Sequence, residues 1–189
     1  MFKFIWNELD PVTGLIAHAG VSVVKPALAL TTEDFNYVYN VNVLGVFNSA
    51  VAIAKLWKGT NLENLSIVIS SPISSRIIDQ AATNEPLTQV FYNSSKAAVS
   101  SFTKVLAAEW AQAEHNIRVN EIAPEYVKSD QTDNLPDKIR QQMDDHPWRK
   151  FATIADQALF LLSEDSNYIT GRGHRIDGRK YLGDYIERG

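Results

Sequence analysis

Tyr92-Asn93-Ser94-Ser95-Lys96 is the stretch of this chain whose residue types and spacing could do acid–base chemistry. Residues four apart share one helix face, so the Lys96 ammonium can stand beside the Tyr92 phenol. A nearby positive charge favours the phenolate and makes the hydroxyl a usable acid and base near neutral pH. The same spacing also occurs in ordinary solvated pairs, so the dyad needs company before it reads as a site. Asn42 is a second candidate, a polar residue within an apolar helical surface that either bonds neighbouring backbone or serves a site.

Other chemistries are excluded or unsupported. The chain has no cysteine, which removes thiol catalysis, disulfides and cysteine–zinc sites. His18, His115, His146 and His174 are scattered without metal-ligand spacing, and no metal is expected. The formal net charge of −4 argues against nucleic acid or an anionic membrane as partner. With 189 residues, 45% hydrophobic and 21% charged, the composition is that of one globular domain over 1–189. The apolar run Met1–Trp6 is too short for a signal segment, and no uninterrupted apolar run approaches the length of a membrane span. A cytoplasmic location is the default expectation.

Several elements must position the dyad. Gly14–Ala17, Leu65–Ser70 and Ile117–Ile122 are short, mostly apolar runs bounded by Gly, Pro or Asn, and read as strands buried on both faces. Thr31-Thr32-Glu33-Asp34 supplies a helix cap with acids in the first turn, and helical spacing continues to Trp57. Val90–Trp110 is a second long helix, with small residues at 94, 95, 97, 98, 100 and 101 that permit close packing. Residues 71–86 read as loop. Residues 128–150, polar and broken by Pro136 and Pro147, read as a mobile lid containing a short helix. A helix at Ile154–Leu162 and a last strand near His174–Ile176 complete the order. Strands alternating with helices predict an α/β fold with a parallel sheet and helices on both faces. Ligands on such sheets bind beyond the carboxyl ends of the strands, where Gly20, Asn42, Ser70–Pro72, Tyr92 and Pro124 all fall.

Ala17-His-Ala-Gly20, Asn42-Val-Leu-Gly45, Ser70-Ser71, Tyr92-x-x-x-Lys96, Ile117-Arg-Val-Asn120 and Ala123-Pro124 arrive in an order that resembles the short-chain dehydrogenase/reductase family from its fourth strand onward. Gly14–Pro26, Leu87–Ala97 and Tyr126–Thr132 look most like the fungal NADP-dependent mannitol 2-dehydrogenases. The resemblance implies hydride transfer between nicotinamide and a polyol or its ketose, here mannitol and fructose. It implies that Tyr92 passes a proton, that Lys96 holds the ribose hydroxyls, and that Asn42 anchors a relay water. His18, Gly20, Val127 and Ser129, with Tyr92 and Lys96, would meet the NADP cofactor. The helices 32–57 and 90–110 would build a homo-oligomer interface.

Departures from the family pattern are equally legible. The resemblance implies a partial doubly wound, Rossmann-type sheet that lacks the first three strands. No Gly-x-x-x-Gly-x-Gly turn is present to cradle a pyrophosphate, so weakened cofactor binding and activity are expected. Phe2–Trp6 would serve either as an added strand or as the stub of a preceding helix. Pro72 falls where the relatives carry their catalytic serine, and Ser71, one residue away, is expected on the opposite face. Glu125 replaces a glycine and brings strain if that position needs positive φ. The helix near Ile154 looks about one turn short, and the closing Asp-Gly-Gly reads Asp177-Gly178-Arg179. An alternative role follows from the same departures: a non-catalytic oligomerisation module, or an unstable fragment.

Overall fold

The computed structural model describes residues 2–8, 11–76, 88–112, 115–125, 127–129, 137 and 153–177. Almost all of the expected 128–150 lid, most of the loop after Arg76, Tyr126 and Gly178-Arg179 lie outside these residues.

The helix α1 (Phe2–Glu8) is followed by β1 (Gly14–Ala17), α2 (Thr32–Tyr39), a π-helical stretch (Asn40–Gly45) and α3 (Val46–Trp57). Then come β2 (Leu65–Ser70), α4 (Val90–Trp110), β3 (Ile117–Pro124), α5 (Ala155–Leu162) and β4 (Gly173–Ile176). All four strands are parallel, in the order β1-β2-β3-β4. The α/β class and the parallel sheet predicted from the alternating pattern are what the chain adopts. Phe2–Trp6 falls in a helix, with Trp6 packed on the main core.

Every residue of β2 and β3 is buried, because helices cover both sheet faces. Ile67, Ile69 and Val119 point to the face carrying α3 and α4, where they meet Val46, Ala50, Ile53, Val99 and Leu106. Val68 and Ile122, one step out of phase, meet Ala158 and Leu161 of α5 on the other face. Arg118 also turns to that face, and its guanidinium is used up on the Leu161, Ser163 and Ser166 carbonyls, the Ser166 hydroxyl and Asn64 Oδ1.

Helix α2 starts with a full capping box: Asp34 N donates to Thr31 Oγ1 (3.2 Å) and Thr31 N to the Asp34 carboxylate (3.1 Å). The continuous helical run Thr32–Trp57 is long and apolar enough, with mean hydropathy 1.3, to cross a membrane by length and composition. This corrects the expectation that no such segment exists. Its inner face is nevertheless committed to the sheet through Val46, Ala50, Ile53 and Trp57, as in a core helix. Among the described residues, positive φ outside glycine occurs at Asn64 and Asn116. Glu125 does not share it, so the strain anticipated there is absent.

Candidate active site

The carboxyl ends of β1, β2 and β3 bring the loop at 18–21, Ser70–Ser71 and Pro124 to one edge of the sheet, against the first turns of α4. Asn42 reaches this edge from the π-helical stretch, an uncommon geometry that inserts an extra residue per turn and is frequent at functional sites. Asn42 is fully buried. Its Oδ1 accepts from Val21 N (2.8 Å), and its Nδ2 donates to Val21 O (2.9 Å) and Ser95 Oγ (3.0 Å). Ser95 Oγ in turn donates to Tyr92 O (2.7 Å). Asn42 thus ties the loop after β1 to the helix that carries the dyad.

Lys96 is 3% exposed, and its Nζ donates to Ser70 O at 3.1 Å. The ammonium lies 6.0 Å from the centre of the Tyr92 ring, so the i, i+4 placement brings the two side chains together. Burial lowers the Lys96 pKa to about 8, partly opposed by the negative charge of Glu121. Gly20 leaves room for this arrangement. A Cβ there would come within 3.2 Å of Lys96 Nζ and 3.5 Å of Asn42 Oδ1. His18 stands exposed at the rim, and partial desolvation followed by the Lys96 charge lowers its pKa. Val127 is half-buried and Ser129 exposed, both beyond the turn at Glu125 that follows β3.

Ser71 is buried and its hydroxyl donates to Lys96 O at 2.8 Å, so it faces α4. It shares the sheet face of Ile67 and Ile69, two and four residues earlier. Its backbone N–H is held by Ile122 O (3.0 Å), which fixes the end of β2 against β3. Two open cavities of about 400 and 310 Å³ lie elsewhere, near Leu65, Asn116 and Ile117 or Arg118 at the amino ends of the strands.

Lys96 also passes a simple test for a nucleotide sugar. An ammonium has three N–H donors, and among the described residues one is bonded, to Ser70 O. A buried cation with donors to spare, beside a glycine whose missing Cβ leaves the approach open, suits the hydroxyls of a ribose.

The family model described as enoyl-(acyl carrier protein) reductase matches residues 1–178. A short-chain dehydrogenase/reductase from Aspergillus versicolor, notP', is 30% identical over 184 residues, 93% of this chain and 61% of that protein. The chain belongs to the short-chain dehydrogenase/reductase family. Within the family it is also 33% identical over 168 residues to the 3-oxoacyl-[acyl-carrier-protein] reductase FabG of Thermotoga maritima, covering 87% of this chain and 64% of that one. L-xylulose reductase of Caenorhabditis elegans is 30% identical over 184 residues, covering 94% and 69%. The chain thus spans under two thirds of the length of notP' and the Thermotoga FabG. Among solved structures, a short-chain type dehydrogenase/reductase from Mycobacterium marinum superposes with TM-score 0.81 at 29% identity, over 93% of this chain and 67% of that one. A short-chain dehydrogenase from Leptospira borgpetersenii, solved with bound NAD+, gives 0.78 at 29% identity, over 94% and 68%.

Proposed function

We propose that the dyad edge is the catalytic half of an NADP(H)-linked carbonyl reductase and alcohol dehydrogenase acting on a polyol or its ketose, such as mannitol and fructose. The observation that carries this reading is the buried Lys96 ammonium beside Tyr92, with donors left for a sugar. The L-xylulose reductase relatives support the substrate class. A bound reduced nicotinamide supplies hydride to the carbonyl carbon. Tyr92 gives its phenolic proton to the carbonyl oxygen in reduction and takes it back in oxidation. Lys96 holds the ribose hydroxyls and, as a neighbouring cation, stabilises the phenolate left on Tyr92. Asn42 holds the loop bearing His18 and Gly20 in place and anchors the relay toward solvent. Val127 and Ser129 meet the nicotinamide side. The chain works in the cytoplasm.

Affinity for the nucleotide in these 189 residues is weak, because no glycine-rich turn offers backbone N–H groups to the pyrophosphate. Titration of the purified chain with NADPH and NADH by fluorescence, followed by fructose and xylulose reduction, tests the assignment. Turnover that survives Tyr92→Phe undiminished would refute it.

A second reading is favoured by a separate observation. Tyr37, Leu44, Phe47 and Val105 are 41–60% exposed on the outer surfaces of α2, the π-helical stretch, α3 and α4. Phe47 stacks edge-on against Phe102, continuing the apolar surface from α3 to α4. Such a surface suits self-association or pairing with a complete relative, as the family's interface helices would. Light scattering of the purified chain distinguishes a monomer from an oligomer, with or without catalysis.

A further inference from the structure

Glu121 is the anomaly in β3. A carboxylate 1% exposed in a strand covered on both faces needs a compensating charge, and the chain supplies one from a distant segment. Arg76 Nη2 meets Glu121 Oε2 at 2.9 Å, and Ser100 Oγ donates to the same oxygen at 2.7 Å. Arg76 Nη2 also approaches Ser100 Oγ at 3.3 Å. The guanidinium lies flat on Gly173 of β4, where any Cβ would collide with it. Glu121 Oε1 has no hydrogen-bond partner among the described residues, so the pair depends on the single oxygen Oε2.

Arg76 ends the short 3-10 turn that leaves β2 at the dyad edge. Ser75 N bonds Pro72 O and Arg76 N bonds Ile73 O, both at 2.9 Å, and Ile73 is buried beneath. The segment 71–76 is therefore pinned at its start by Ser71 N on β3 and at its end by the Arg76 side chain on β3 and β4. The groups that face Glu121 are Arg76 from this turn, Ser100, Lys96 and Lys104 from α4, and the bare Gly173 from β4.

We propose that Arg76 and Glu121 are positioning residues for the substrate side of the site, their ion pair, buried on the Glu121 side, fixing where the turn after Ser71 stands relative to the dyad. The inference rests on the reductase reading for its catalytic consequence, but the anchoring itself does not. Arg76 touches neither Tyr92 nor a nucleotide group; it acts through the turn. Protonating Glu121 removes its charge and loosens the turn from the acid side, whereas Lys96 responds at higher pH.

The test is amide hydrogen exchange on the full 189-residue chain, with Arg76→Met, Arg76→Lys and Glu121→Gln, corrected for intrinsic rates across pH 4 to 8. Exchange at Ser75 and Arg76 should accelerate about tenfold or more in Arg76→Met and Glu121→Gln, with β2, β3 and α4 protected as before, and Arg76→Lys should fall between. In the unsubstituted chain the same amides should loosen toward acid, a response that Glu121→Gln abolishes. Where turnover is measurable, KM for the carbonyl substrate should rise with kcat and NADPH affinity little changed. Unchanged protection of 71–76 in both variants, or loosening spread evenly over the sheet, would overturn the proposal, as would a fall in NADPH affinity at constant KM. A chain without turnover whose turn still loosens counts against the reductase reading alone and leaves the anchor supported.

Discussion

Replacing Lys96 by Met should stabilise the fold at neutral pH, although it removes the residue that the site needs. Burial lowers the Lys96 pKa from 10.5 to about 8, against the opposing pull of Glu121. At about 1.36 kcal/mol per unit, holding this lysine charged costs the native state roughly 3 kcal/mol below pH 8. Methionine fills similar space without a charge, but it leaves Ser70 O without its donor, a loss of about 1 kcal/mol. The net gain should be about 1–3 kcal/mol. The sign follows from linkage. A group with a depressed native pKa adds stability above its unfolded pKa and loses it as pH falls through the native one. The advantage of Lys96→Met should therefore be full below pH 8 and shrink between about 8 and 10.5 as the native lysine of the parent chain becomes neutral.

Urea unfolding at pH 6.5, 7.5, 9 and 10, with Lys55→Met on the exposed surface of α3 as control, measures this. A variant less stable than the parent at pH 7, or an advantage that does not shrink toward pH 10, would refute the claim that Lys96 is held charged against burial. The control should change stability by no more than about 0.5 kcal/mol at any of these pH values.

Three further outcomes are expected. Tyr92→Phe should abolish carbonyl reduction while leaving NADPH affinity within about twofold; steady-state assays beside a fluorescence titration separate the two effects. Asn42→Ala should destabilise the chain by about 1–3 kcal/mol, because one buried and two part-buried hydrogen bonds are lost together and the Val21 backbone loses its Asn42 partners; urea unfolding reads the loss, and faster exchange at Val21 locates it. Phe47→Asp combined with Val105→Glu should convert any oligomer to monomer in light scattering with the circular dichroism unchanged, since both side chains lie on the outer surface.

The sheet was legible because its strands are short, mostly apolar runs between Gly, Asn and Pro, as parallel strands covered on both faces are, although Ile117–Pro124 carries the buried polar residues Arg118, Asn120 and Glu121. The helix Val90–Trp110 was legible to the residue. By contrast, Phe2–Trp6 is too short for its periodicity to decide between strand and helix, and packing against the core decided it. The π-helical stretch is invisible in sequence because an inserted residue leaves the surrounding apolar spacing almost intact. The Tyr92–Lys96 spacing was legible, but it read as a site only beside the other motifs. Strand alternation puts Ser71 with Ile67 and Ile69, and which helix covers that face is a tertiary fact that no local pattern encodes. Glu121 did carry a signal. A carboxylate inside an apolar strand calls for a buried partner, and only the fold reveals that the partner comes from Arg76, 45 residues earlier.

The inner face of α4 mixes two kinds of residue. Val99, Leu106, Ala107 and Trp110 hold it to the sheet by apolar contact, whereas Ser95, Lys96, Ser100 and Thr103, mostly toward the dyad end, are buried and polar. A face that served only to attach a helix would gain stability from apolar residues throughout, since each buried polar group must find a partner or incur a penalty of about 1–3 kcal/mol. The departures from the family pattern leave this arrangement untouched. Pro72 lends the turn its carbonyl, which any residue provides, and the hydroxyl on the α4 face belongs to Ser71. Glu125 sits without positive φ and uses its backbone N–H on Ile176 O, a bond a glycine makes equally well. Neither substitution breaks a contact of the cluster around Tyr92 and Lys96. The weakness expected of these 189 residues as a catalyst therefore lies in how little of a pyrophosphate they can hold, and a nucleotide analogue that reaches Lys96 through its ribose alone should bind about as well as NADPH does.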